Sequence, residues 1–456
     1  MTKRLELDSY MDEEELTTAI QEFQNDDHDA GNSCDHLHLN CVDINLNVAR
    51  EITTLLRSRS WGSIELEECT GRVDFIMTVI MTQAVVGTVK VTTFGLDRLD
   101  EATLFAMAVG MTSSICLEEL ILSATLTQDD AQILAEGIAK ATTLRRLCLR
   151  DNTLDQPAAE ILANVGLQSN TTLHEFGLVG CGQCDDWLGT LLHSFSDHPS
   201  LRHLDLRCLG SGDLEPVASL LERKRCGLTS IDLSFKGGSV ETPLDLSSFT
   251  TALQNRKAQG LSMSLQHLHL CSLLLTDEDV DCVIDACVLA ASSLETLNLS
   301  LNKLTNIGII RKIAPKIANN ELRLKNLYLD GNPFHKEGSL ALLEAIRTNV
   351  DIEKIRVSTE HEDIQKQLDY YGYLNRGGRR LVLVRGKQTD ASPELNNDRN
   401  LILEEIHPTL HKQYCIPTGL WSSVLGRVNR LDFENTAHQE DVLYCLLRNG
   451  PLLFPV

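Results

Sequence analysis

Six segments of the chain share one arrangement of positions: apolar, two variable, apolar, one variable, apolar. They are Leu117-Glu-Glu-Leu120-Ile-Leu122, Leu144-Arg-Arg-Leu147-Cys-Leu149, Leu201-Arg-His-Leu204-Asp-Leu206, Leu265-Gln-His-Leu268-His-Leu270, Leu294-Glu-Thr-Leu297-Asn-Leu299 and Leu324-Lys-Asn-Leu327-Tyr-Leu329. Looser copies begin at Cys34, Trp61, Val86, Leu173, Leu228, Ile352 and Gly378, giving thirteen units spaced by 27, 25, 31, 27, 29, 28, 27, 37, 29, 30, 28 and 26 residues. Alternation at the end of each segment is the period of a strand with one buried face. The residues that follow, such as Ala131, Leu134, Ala135 and Ile138, return at three and four, the period of one apolar helix face. Each unit is therefore predicted to be a strand followed by a helix, and a row of such units is predicted to lay its strands in one parallel sheet with helices along one side. A helix is wider than a strand spacing, so the row must curve; thirteen strands at ~4.8 Å give an inner arc of roughly 60 Å. Parallel sheets normally have both faces covered, so a bare face argues for a binding role.

A period near 28 with this strand signature resembles the leucine-rich-repeat family, and the unit length resembles its ribonuclease-inhibitor-like subtype, in which a full helix follows each strand. The resemblance implies an α/β solenoid shaped as a horseshoe over residues 34–390, with strands on the concave face and helices on the convex face. At the ninth position of the repeat the family places Asn or Cys, which bonds backbone groups of the turn leaving the strand. Asn152, Asn302, Asn332, Cys69 and Cys181 fit; Thr125, Leu209, Lys236 and Leu273 depart from the pattern, and irregular turns are expected there. The 37-residue spacing after Leu228 predicts a surface insert around Lys236-Gly237-Gly238-Ser239 and Pro243. From Ala391 the repeat stops, and a helical cap over 391–456 is expected, with helices at Leu401–His411, Leu420–Val428 and Gln439–Arg448. The run around Gly419-Leu420-Trp421 with Leu443-Tyr444 resembles the tail of uncharacterised repeat proteins from diatom-like algae, which carries over no function. Residues 1–33 are expected to form an acidic, largely disordered segment with a short helix around Glu13–Phe23, since Met1 to Asp35 hold eleven acids against Lys3 and Arg4.

A formal charge of −23 disfavours nucleic acids and anionic membranes as general partners. No apolar h-region follows Met1, so a cytoplasmic location is expected. The most apolar window, Phe75 to Val89, is too short and polar to span a bilayer. Fourteen cysteines in such a chain read as reduced core residues. Motifs for phosphate loops, dinucleotide turns, nucleophile elbows and H-E-x-x-H zinc helices do not occur, so neither a cofactor nor catalysis is expected. Cys181-Gly-Gln-Cys184 has the spacing of a redox pair, against which stands the ordinary turn role of Cys at the ninth position. His407 and His411 lack a third ligand and read as a helix start and a surface imidazole.

Residues between the leucines of each strand point away from the core. There Arg145, Arg146 and Arg150, near Arg202, His203 and Arg207, are expected to form a basic zone, preceded by an acidic zone of Glu65, Glu67, Glu118 and Glu119. The binding set taken from this pattern is Arg146, Arg150, Arg202, His203 and Arg207, with Tyr328 as an anchoring aromatic. The bland alternative is that these charges only solvate an exposed sheet. The expected function is a monomeric protein-binding scaffold whose basic zone meets an acidic segment of a protein partner. Other readings are an enzyme regulator, either GTPase-activator-like or ribonuclease-inhibitor-like, and the sensor half of an immune receptor. The first lacks the long acidic C-terminal tail of such activators and the regular repeat of such inhibitors, and the second calls for an ATP-binding module, which 33 residues ahead of the first expected strand do not supply.

Overall fold

The computed structural model describes residues 3–25, 35–92, 99–113, 116–181, 185–207, 214–235, 244–261, 264–289, 293–358 and 362–376. The chain divides into two compact units, Met1–Ser239 and Val240–Val456. The strands of the first are β1 (Arg4–Asp8), β2 (Asp35–Asn40), β3 (Asp43–Ile44), β4 (Ser60–Glu67), β5 (Thr70–Gly71), β6 (Val85–Thr92), β7 (Glu119–Ser123), β8 (Arg146–Arg150), β9 (Glu175–Val179), β10 (His203–Asp205) and β11 (Ser230–Asp232). Those of the second are β12 (His267–His269), β13 (Thr296–Asn298), β14 (Asn326–Tyr328) and β15 (Lys354–Arg356). β3 and β5 pair only with each other; within each unit the remaining strands, nine in the first and four in the second, follow chain order side by side, and the described pairings are parallel. Register is in phase, with Leu120 beside Leu147 and Leu147 beside Phe176, so equivalent repeat positions form columns across the strands.

Helices lie on one side of the strands. Asn45 caps Leu46–Ser58 by accepting from the backbone N–H of Asn47 and Val48, and Thr127 with Asp130 forms a capping box at the start of Gln128–Lys140. The face expected from spacing is the one buried: Ala131, Leu134, Ala135 and Ile138 are all fully enclosed. Burying a side chain such as Leu134 contributes roughly 1.5–3 kcal/mol. Helices approach closely where Gly110 abuts Met81 and Gly137 abuts Ala108; a Cβ at Gly110 would lie 2.1 Å from that of Met81. No helix among the described residues is long and apolar enough to cross a membrane.

The acidic lead-in departs from expectation. Where a largely disordered segment with a short helix was expected over 1–33, Arg4–Asp8 forms an unexpected strand beside β2, with Leu5 next to Leu37 and Leu7 next to Leu39, and the helix expected around Glu13–Phe23 is present as Glu13–Asn25, burying Leu16 and Ile20. Glu6, Asp12, Glu13, Glu14, Glu15 and Glu22 are exposed and Asp8 is half-buried, so their charge does not oppose burial of the alternating leucines. Arg59 fastens this unit: its guanidinium donates to the carbonyls of Phe23 (2.7 Å) and Gln24 (3.2 Å), pairs with buried Asp35 at 3.1 Å and lies 4.7 Å over the Phe23 ring. Twelve of the thirteen sheet strands coincide with units read from the sequence, and β1 adds one ahead of them. The unit begun by Gly378, the insert at 236–243 and the cap over 391–456 lie outside the described residues.

Candidate functional site

The sheet face opposite the helices carries three columns of side chains. In the first unit two of the five arginines expected to form a basic zone, Arg146 and Arg207, are neutralised by carboxylates. Arg146 Nη1 donates to Glu119 Oε1 at 2.5 Å, and its Nε lies 2.7 Å from Glu175 Oε1, so it spans carboxylates from both adjacent strands. Arg207 donates to both oxygens of Asp205, at 2.7 and 2.5 Å, and lies 3.7 Å from Asp232. Hydrogen bonding to Asp205 raises the guanidinium of Arg207 further above its usual range. Arg202 turns into the loop before β10, donating to Leu201 O (2.8 Å) and Pro199 O (3.2 Å), and Arg145 likewise donates to Thr172 O (3.3 Å). These two occupy the rim because they precede the strand and fall out of its alternation. His203 is exposed on β10.

Arg150 differs from Arg146 and Arg207 in that no carboxylate among the described residues pairs with it; its buried Nε has no hydrogen-bond partner, a state shared with the Nε of Arg146, whose contact with Glu175 is an ion pair only. The floor around it, unnoticed in the sequence, is small and apolar: Cys148 and Val179 are 1% exposed and Gly177 is buried, although no helix covers this face.

The expected acidic zone is also paired. Glu65 meets Lys90 and Glu67 meets His38, each at 3.2 Å, and Glu119 serves Arg146. Opposite charges therefore interleave instead of forming two fields. Tyr328 stands on β14 in the second unit with Lys354 Nζ 5.1 Å from its ring centre.

Where five of the described strands end, a buried or half-buried side chain from one repeat ties the turn of the repeat before it. Asn152 Nδ2 donates to Leu122 O (2.6 Å) while its Oδ1 accepts from Ala124 N (3.3 Å). Asn302 donates to Leu270 O (2.7 Å) and Leu299 O (2.9 Å) and accepts from Leu273 N (3.0 Å) and Leu275 N (3.1 Å). Asn332 repeats the pattern on Leu299 O, Leu329 O and Leu304 N, and Cys69 and Cys181 donate weakly to Leu39 O and Leu149 O. The residue before each of these has a left-handed backbone: Glu68, Asp151, Gly180, Leu301 and Gly331. This is a leucine-rich-repeat fold. Two turns flagged as departures from the repeat are irregular: Ser272 and Leu274, on either side of Leu273, both have positive φ, and the turn at Thr125 has no left-handed residue. Leu209 and Lys236 lie outside the described residues.

A second buried ladder, not visible in the strand motif, sits where helices return to strands of the leucine-rich repeats. Asn170 donates to Ile138 O, Asn349 to Ile317 O, and each accepts from two backbone N–H groups ahead of the next strand. His198 takes that slot in its repeat, accepting from Leu201 N at 3.2 Å. Burial lowers its pKa below the usual histidine value.

No protein-family model matches the chain. Among curated proteins, NACHT, LRR and PYD domains-containing protein 5 of Mus musculus is 24% identical over 258 residues, 56% of this chain; the chain spans 21% of the length of that relative. Among solved structures, the leucine-rich repeat-containing protein LegL7 from Legionella pneumophila is similar at TM-score 0.43 and 15% identity, covering 73% of this chain and 97% of that one. TLR13, in its complex with ssRNA13, is similar at TM-score 0.40 and 14% identity, covering 72% and 39%.

The thiols suit structural roles. Burial pushes Cys69 and Cys148 up to about 11 and Cys287 up to about 12, so each stays protonated at neutral pH. Cys181 serves its turn, and Cys184 lies outside the described residues. Among the described residues no group of three or more His, Cys, Asp or Glu side chains is placed to hold a metal ion.

Proposed function

We propose that this chain is a cytoplasmic protein-recognition module of the ribonuclease-inhibitor-like kind, engaging a protein partner on the uncovered sheet face of its first unit. The observation that carries this reading is the face around β7 to β10, where Arg146, Arg150 and Arg207 surround a floor of small residues that no described helix covers. Interface centres favour arginine over such sheltered floors. Strand-plus-helix units of about 28 residues support the subtype.

Affinity capture tests it with three proteins: the unaltered chain, a sheet-face variant (Ile121→Trp with His203→Trp) and a helix-face variant at exposed Phe105 (Phe105→Asp). A partner lost only with the sheet-face variant supports the reading; loss with the helix-face variant alone overturns it. The likeness to a NACHT, LRR and PYD domains-containing protein favours a second reading, a recognition module acting beside a NACHT domain, and co-purification of a NACHT-containing protein would distinguish it.

A further inference from the structure

Resting on that sheet-face reading, we propose that Arg150 is a receptor for a single partner carboxylate, one set among neutral or basic residues and not within an acidic run. An arginine on this face can meet carboxylates on the adjacent strands or within its own repeat. Arg146 finds Glu119 and Glu175 on the strands either side, and Arg207 is held by Asp205, two residues earlier in its own repeat, and by Asp232. Arg150 has Val179 beside it in register on β9, and on the β7 side its column holds Ser123. Neither carries charge, so the guanidinium has no carboxylate within the described protein, and its Nε is enclosed without a partner. A buried N–H left unbonded is costly, and a carboxylate fits a guanidinium with two parallel bonds.

The same geometry excludes a polyacidic partner. Three cations, Arg146, Arg150 and Arg207, share the patch with four carboxylates, Glu119, Glu175, Asp205 and Asp232. A run of acids would place charge against those carboxylates, whereas a lone Asp or Glu flanked by Lys or Arg meets Arg150 with its carboxylate and the four acids with its flanks. Like-charge contacts at an interface reject wrong partners strongly. The acidic segment expected from the sequence is thereby replaced by an isolated acid in a basic setting.

The test uses the full chain and immobilised pools of extended peptides with a fixed centre, Glu or Gln, flanked either by Lys or by Glu. The Lys-flanked Glu pool should be retained at least about tenfold more strongly than its Gln counterpart and than the Glu-flanked pool, a preference erased by Arg150→Gln. Arg145→Gln, on the rim, should leave it unchanged. Equal retention of Glu and Gln centres, survival of the preference in Arg150→Gln, or no retention of any pool overturns the proposal. If pools are held by the unaltered chain and lost by Ile121→Trp with His203→Trp, but without regard to the central residue, this inference fails while the sheet-face reading stands. If that variant retains them equally, the sheet-face reading fails as well.

Discussion

Replacing Asn302 by Ala should cost the second unit about 4 kcal/mol. The amide is 4% exposed and makes four backbone bonds of 3.1 Å or shorter, donating to Leu270 O and Leu299 O and accepting from Leu273 N and Leu275 N, beside a longer one to Ser300 O at 3.3 Å. Each buried bond contributes a net of roughly 1 kcal/mol, and the alanine supplies no substitute for any of them. With a urea dependence of roughly 2–3 kcal/mol per molar, the unfolding midpoint should fall by about 1.5 M, followed by far-UV circular dichroism of the full chain. Asn302→Cys, the residue that fills the same slot at Cys69 and Cys181, should be milder because one weak donor remains. Asn319→Ala, at an exposed position, should change little. A loss below about 0.5 kcal/mol for Asn302→Ala would refute the argument that these bonds hold the turn.

Arg59→Ala should loosen the N-terminal strand–helix unit by about 3–5 kcal/mol, because buried Asp35 loses its partner; hydrogen exchange at Arg4–Asp8 rising to solvent rates would show it, and unchanged protection would contradict it. His198 has a folded pKa below its unfolded value near 6.5, so its contribution is intact above that value and is lost as pH falls through it toward the folded pKa. His198→Asn, which restores the residue found at Asn170 and Asn349, should match the parent near pH 7.5 and exceed it at pH 5; urea midpoints that stay parallel at both pH values would reject this. Leu301 is 57% exposed with φ 57°, a conformation that costs a side-chained residue about 1–2 kcal/mol. Leu301→Gly should raise the midpoint of thermal unfolding, and a drop would show that its contact with Gly331 outweighs the backbone strain.

Much of this fold was legible because one rule repeats. Strand columns and helix faces follow from spacing, and the ninth-position residues announced the turn ladder. β1 escaped because Leu5 and Leu7 stand among acids, and a short alternation in an acidic stretch reads as disorder unless its register against Leu37 and Leu39 is known. The candidate site was half legible. Arginines could be placed on the sheet face, but the partners of Arg146 lie one repeat away, 27 residues for Glu119 and 29 for Glu175, and only alignment of the columns reveals that Arg146 is neutralised while Arg150 is not. Arg202 was misplaced because it precedes the strand, where alternation no longer governs direction.

Both ladders point one way along the chain. Asn152 completes the turn at Leu122, Asn302 the turn at Leu270, and Asn170 and Asn349 reach back to Ile138 and Ile317. In these two ladders each repeat is finished by the one that follows it, while in the second unit Asp277 and Asn306 reach forward to Thr305 N and to His335 N and Gly338 N. Removing a repeat from the C-terminal side of such a stack strips buried carbonyls and N–H groups of their ladder partners, whereas removing one from the N-terminal side frees the amide that reached for it and, at Asp277 and Asn306, N–H groups whose bonds are exposed or half-buried. Fraying in this solenoid accordingly has a polarity, advancing more readily from the C-terminal side of each unit than from the N-terminal side.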